Sequence, residues 1–152
     1  MAKPLEFFFD YVSPFSYLAD TQLPVLLEKT DAGILYKPIL LGAIFKASNN
    51  TPPPAIPAIA QPAGCFPAYH SAMFRAMWAE GVNLGDPKIV KDIFERFGID
   101  PDAIEREDVK DRLKANTEEA IARGAFGAPT SFVGDAMFWG NDRMHFIEAA
   151  LK

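Results

Sequence analysis

The stretch Leu5-Glu6-Phe7-Phe8-Phe9-Asp10-Tyr11-Val12-Ser13-Pro14-Phe15-Ser16-Tyr17-Leu18 decides how the rest of the chain is read. Its first five residues are apolar apart from Glu6, rich in aromatics, and stopped by Asp10. Such a run suits a strand buried on both faces. Ser13-Pro14 then opens a helix. A serine hydroxyl can accept a hydrogen bond from an unpaired amide of the first turn, and proline at the first helical position gives up an N–H that has no partner there. Apolar residues at Phe15, Leu18, Leu23, Leu26 and Leu27 keep helical spacing to Lys29-Thr30, with Gly33 in the exit loop and a kink expected at Pro24.

Outward from this start, Ile34-Leu35-Tyr36-Lys37-Pro38-Ile39-Leu40-Leu41 reads as a second strand. Strand, helix and strand in this order form a βαβ unit with a right-handed crossover. Pro38 cannot donate to a ladder, which assigns it to an edge strand or a strand end. The texture changes over 49–67, which holds nearly half of the thirteen prolines and no sustained periodicity. A proline-rich irregular segment is expected there.

Helical patterns follow at 69–80, with Tyr69, Met73, Phe74, Met77 and Trp78 on one face, and at 86–97, with Asp86 as cap, Pro87 first and Gly98 as stop. Asp100-Pro101 starts a short helix. A charged helix spans 108–123, with Val109, Leu113, Asn116, Ala120 and Ile121 near one face and Gly124 closing it. Strands at 130–133 and 137–139 flank a Gly134-Asp135 hairpin turn, and Asn141-Asp142 caps a final helix through Leu151.

Composition narrows the possible classes. The 152 residues are 49% hydrophobic with thirteen Phe, ample for one compact core and incompatible with a disordered chain. Fifteen basic residues against twenty acidic ones give a net charge of -5, which disfavours broad attraction to nucleic acid or anionic lipid. One cysteine, Cys65, builds neither a disulfide framework nor a Cys-rich zinc site. His70 and His145 are isolated, so no metal site is expected. No signal-peptide pattern or bilayer-length apolar run is seen, so the expectation is a soluble, cytoplasmic protein.

The order β-α-β, helical block, β-β-α is that of the thioredoxin fold with inserted helices, as in the disulfide oxidoreductase DsbA. The motif 7–18 resembles the opening of the 2-hydroxychromene-2-carboxylate isomerases, relatives of the kappa-class glutathione transferases. Pro38-Ile39-Leu40-Leu41-Gly42-Ala43-Ile44-Phe45-Lys46 is similar to that family's second-strand motif. Met73-Phe74-Arg75-Ala76-Met77-Trp78, Gly127-Ala128-Pro129-Thr130 and Met137-Phe138-Trp139-Gly140-Asn141-Asp142-Arg143 extend the match. The resemblance implies an α/β fold with a thioredoxin-like domain over 1–45 and 125–152. The inserted helical domain, 46–124, is shorter than is usual in the family. It also implies a glutathione-dependent cis-trans isomerase of an aromatic-catabolism intermediate, acting as a homodimer on a small aromatic substrate, with neither nucleic acid nor membrane as partner.

Ser13-Pro14-Phe15-Ser16 stands where thioredoxin-type oxidoreductases carry Cys-x-x-Cys, so dithiol exchange is excluded in this slot. Ser13 is either an N-cap alone or the donor that stabilises a glutathione thiolate beside the helix terminus. By the resemblance, Ala128-Pro129 is the cis-proline position, leaving the Ala128 N–H and C=O to pair with glutathione's cysteinyl backbone. Asn141 and Asp142 either cap the last helix or grip the γ-glutamyl end. Asn50, or its neighbour Asn49, and Lys46 complete the implied glutathione set, Lys46 being equally compatible with a solvated surface lysine. A lysine usual in the family soon after Asn50 is replaced by Ile59 or lost. The alternatives are a kappa-like glutathione transferase and a non-catalytic thioredoxin-fold binding protein.

Overall fold

The computed structural model describes residues 3–48 and 66–152. Strand β1 (Leu5–Phe9) is central, and Leu5, Phe7, Phe8 and Phe9 are fully buried. It pairs in parallel with β2 (Ile34–Pro38) and antiparallel with β3 (Thr130–Val133), and β3 pairs antiparallel with β4 (Ala136–Trp139). The sheet order is therefore β2-β1-β3-β4, and Pro38 ends an edge strand as its missing N–H demands. The Gly134-Asp135 turn joins β3 to β4, with Gly134 in the left-handed region at φ 60°.

Alternation along β1 divides the core in two. Leu5, Phe7 and Phe9 face one cluster, which takes in Tyr11, Leu23, Leu26, Tyr69, Met73, Phe74, Phe94 and Ile147. Phe8 faces the other, with Ile39, Ile44, Ala120 and Phe132, and meets the Phe132 ring edge-on at 5.5 Å.

Several elements differ from the sequence expectation. The helix expected over 14–30 is two helices, α1 (Pro14–Asp20) and α2 (Leu23–Thr30), broken at Thr21 and Gln22. Pro24 lies in the first turn of α2, where it needs no intrahelical N–H bond, so it starts a helix and does not kink one. The second strand stops at Pro38, and Leu41–Ala47 forms helix α3. Its first amide, Leu41 N, donates to the Asp10 carboxylate at 2.9 Å, a partner remote in sequence.

The helix α4 (Phe66–Trp78) begins earlier than expected and takes Phe66 and Pro67 out of the irregular segment; the rest of that segment lies outside the described residues. Helix α5 (Pro87–Arg96) carries the expected Asp86 cap, whose carboxylate accepts from Lys88 N at 2.9 Å. Only one 3-10 turn, Ala103–Glu105, forms after Pro101, before α6 (Glu107–Ala122). On α6, Ile121 is exposed and Thr117 is buried, its hydroxyl accepting from Leu40 N and donating to Leu113 O. Helix α7 (Met144–Leu151) starts later than expected, with Arg143 at its cap position and no capping side chain. Asn141 and Asp142 therefore stand in the preceding turn, free of the capping role.

Candidate functional site

Ser13 occupies the N-cap of α1 and is 2% exposed. Its Oγ accepts from Ser16 N at 3.1 Å and donates to the Ala128 carbonyl at 2.9 Å. The second bond crosses from the β1–α1 turn to the loop before β3, where the Ala128–Pro129 peptide is cis. Pro129 O in turn accepts Gly140 N at 3.0 Å, tying that loop to the end of β4. The Ala128 carbonyl, expected to be free for a peptide, is thus engaged by the serine. A carbonyl has two lone pairs, while a hydroxyl has a single proton to give. The carbonyl can therefore take a second donor, whereas Ser13 must give up this bond to donate elsewhere.

Beside this bond lies an open pocket of about 280 Å³ lined by Phe15, Ala128, Trp139, Gly140, Asn141, Asp142 and Arg143. Two aromatic walls, Phe15 and Trp139, are 55% and 41% exposed, high values for such side chains. The polar end holds both signs of charge. Arg143 Nη1 donates to Asp142 Oδ1 at 2.9 Å and to Trp139 O at 2.8 Å. Asn141 O accepts from Gln22 Nε2 at 3.1 Å, which fastens the turn to α2.

The turn that leads into Ser13 is polar and largely buried. The Asp10 carboxylate accepts Val12 N at 3.1 Å and Leu41 N at 2.9 Å. Burial pushes its pKa up to about 6, against the lowering effect of these backbone bonds. Tyr11 is fully buried, and burial together with the nearby Tyr69 and Asp20 holds its phenol well above the usual value, so it stays protonated.

A hydrogen bond joins Ser13 to Ala128, Pro129 follows across the cis peptide, and Ala128, Asn141 and Asp142 line one pocket. Lys46 is exposed in the last turn of α3 and does not line the pocket. Asn50 and Asn49, together with Ile59 and Cys65, lie outside the described residues. Sequence reasoning missed Phe15, Trp139 and Arg143 as pocket residues. No sequence signal pointed to Trp139, because its approach to Gly127, where an added Cβ would lie 2.6 Å from the indole nitrogen, exists only in the fold. Among the described residues, no group of three His, Cys, Asp or Glu could hold a metal ion. No described helix is long and apolar enough to cross a membrane.

Comparison with known proteins bears on the fold and the family. The family model for the DSBA-like thioredoxin domain matches residues 4–64 and 55–152. A 2-hydroxychromene-2-carboxylate isomerase of Sphingobium xenophagum is 31% identical over 195 residues, covering 99% of this chain and 99% of that protein. The Pseudomonas putida protein of the same name is 30% identical, covering 97% and 93%. A kappa 1 glutathione S-transferase of Caenorhabditis elegans is 40% identical over 55 residues, 36% of this chain and 24% of its own. The solved structure of a 2-hydroxychromene-2-carboxylate isomerase superposes with TM-score 0.75 at 30% identity, covering 96% of this chain and 93% of that one. Alignments of 195 residues against a chain of 152 mean that the relatives carry residues with no counterpart here. The chain belongs to the DsbA-like thioredoxin family and, within it, to the family of the 2-hydroxychromene-2-carboxylate isomerases.

Proposed function

We propose that this protein is a glutathione-dependent isomerase of 2-hydroxychromene-2-carboxylate or a similar intermediate of aromatic breakdown, working as a homodimer in the cytoplasm, where glutathione is kept reduced. One observation carries this reading. A serine, in the slot where oxidoreductases of this fold hold a cysteine, donates its hydroxyl to the Ala128 carbonyl beside a two-walled aromatic pocket.

The residues present fit glutathione. Asp142 and Arg143 offer one charge of each sign to an amino-acid terminus, and the Ala128 backbone borders the same pocket. Asn50 and Lys46 belong to the implied set only through the family resemblance. Bound glutathione would supply a thiolate that adds reversibly to a conjugated double bond, permitting rotation before elimination restores both the double bond and the thiolate.

The chain's contribution is an exchange of donors. A peptide N–H arriving at the Ala128 carbonyl satisfies that oxygen, so Ser13 Oγ–H turns to the thiolate while still accepting Ser16 N. A hydrogen bond to an anion is stronger than one to a carbonyl, which favours the exchange. Helix α1 has seven residues, so its dipole is secondary to the hydroxyl. Phe15 and Trp139 offer flat apolar surface to an aromatic substrate.

Calorimetric titration with glutathione tests the binding half. Binding in the millimolar range or tighter, weakened in Ser13→Ala, supports the reading; no heat at millimolar glutathione leaves only a non-catalytic thioredoxin-fold protein. The kappa 1 match favours one competitor, a glutathione transferase. Mass spectrometry of the products separates the two, because only transfer leaves a stable conjugate.

A further inference from the structure

One imidazole joins the last residue of helix α1 to the turn that precedes the helix. His70, on α4 and 3% exposed, has Nε2 2.9 Å from Asp20 Oδ1, the last residue of α1. Its Nδ1 lies 3.0 Å from the hydroxyl of Tyr11, two residues before Ser13. The rings of Phe9, Tyr36, Phe66 and Phe74 surround the imidazole with centroids at 4.7 to 4.9 Å. The imidazole thus has a fixed partner at each ring nitrogen, the Asp20 carboxylate at Nε2 and the Tyr11 hydroxyl at Nδ1.

The same helix grips Tyr11 a second time. Trp78 Nε1, about two turns beyond His70, donates to the Tyr11 carbonyl at 2.8 Å. Helix α4 thus fixes both the side chain and the backbone of one residue in the turn 10–13. That turn closes on itself through Ser13 N to Asp10 O at 3.0 Å and Val12 N to Asp10 Oδ1 at 3.1 Å. These bonds link Tyr11 through two residues to Ser13, whose Oγ donates to the Ala128 carbonyl.

We infer that His70 is a positioning residue: held in place by Asp20, it fixes Tyr11 and so sets where Ser13 presents its hydroxyl, so that helix α4 controls the site without touching a ligand. The affinity readout rests on the glutathione reading above; the geometric readout does not.

Three variants separate positioning from plain stability. Tyr11→Phe removes only the hydroxyl. In His70→Gln the amide reaches the Nε2 position and keeps Asp20 but loses Tyr11; in His70→Asn the amide stands at Nδ1 and keeps Tyr11 but loses Asp20. Tyr11→Phe and His70→Gln are expected to weaken glutathione binding about fivefold, the worth of one ordinary hydrogen bond, with His70→Asn recovering most of that loss. The Trp78 indole N–H resonance, assigned with Trp78→Phe, is expected to move in the first two. Equal affinity loss in His70→Asn and His70→Gln, or an unmoved Trp78 resonance in Tyr11→Phe, overturns the inference. If the wild-type chain binds no glutathione, the functional reading fails and the Trp78 resonance alone decides this one.

Discussion

Ser13 Oγ makes two hydrogen bonds within the protein, one as cap acceptor and one as donor to Ala128 O. Ser13→Ala removes both, and a loss of about 1–2 kcal/mol is expected in urea denaturation, the usual cost of a lost N-cap. Asp10 carries a separate prediction. Its folded pKa of about 6 lies above the ordinary 3.8, so the folded protein binds the proton more tightly than the unfolded chain does. Its contribution is therefore fully present below about pH 4 and is lost as pH rises through about 6. Comparing wild type with Asp10→Asn by thermal unfolding at pH 4 and pH 7.5 checks the sign: wild type gains relative to the variant at the lower pH. Ser13 as a cap was legible because capping is a local rule. Its donation to Ala128 was not, since that partner lies 115 residues away and is brought in only by β1–β3 pairing.

At the scale of elements, the strands and the charged helix α6 follow local pattern and were legible to within a few residues. Helix α3 was hidden because its first amide is satisfied by Asp10, across the sheet edge, so no cap motif announces it. The break between α1 and α2 was misread because proline in a first turn and proline in a helix interior look alike until the helix start is known. The aromatic pocket walls come from α1, through Phe15, and β4, through Trp139. Gly127 leaves room for the Trp139 indole, which also packs on Phe126 at 5.1 Å. Gly127→Ala is expected to displace the indole, shift its fluorescence relative to Trp139→Phe controls, and weaken ligand binding severalfold. An unchanged emission spectrum and unchanged affinity count against Trp139 as a pocket wall.

Across the whole molecule, α6 is fastened to the sheet by four charges. Lys37 bonds Glu6 and Glu119, and Arg123 bonds the same two carboxylates while lying over the Phe132 ring at 3.7 Å. Burial raises the Glu6 pKa, but Lys37 and Arg123 outweigh it and hold the carboxyl below its ordinary value. Stability from Glu6 is therefore present above about pH 4.5 and lost as pH falls through the lowered folded value. Glu6→Gln, followed by denaturation between pH 3 and 7, is expected to flatten that acid limb. The fold built on this frame was legible from the order of elements, while the pocket was not, because residues from α1, the cis-proline loop and the β4–α7 turn meet only after folding. The central claim concerns chemistry at that pocket, and the direct measurement is turnover of 2-hydroxychromene-2-carboxylate, followed by absorbance with and without glutathione. Isomerisation that requires glutathione, leaves its concentration unchanged and falls at least tenfold in Ser13→Ala is the predicted result; turnover independent of glutathione, or unaffected by Ser13→Ala, contradicts it.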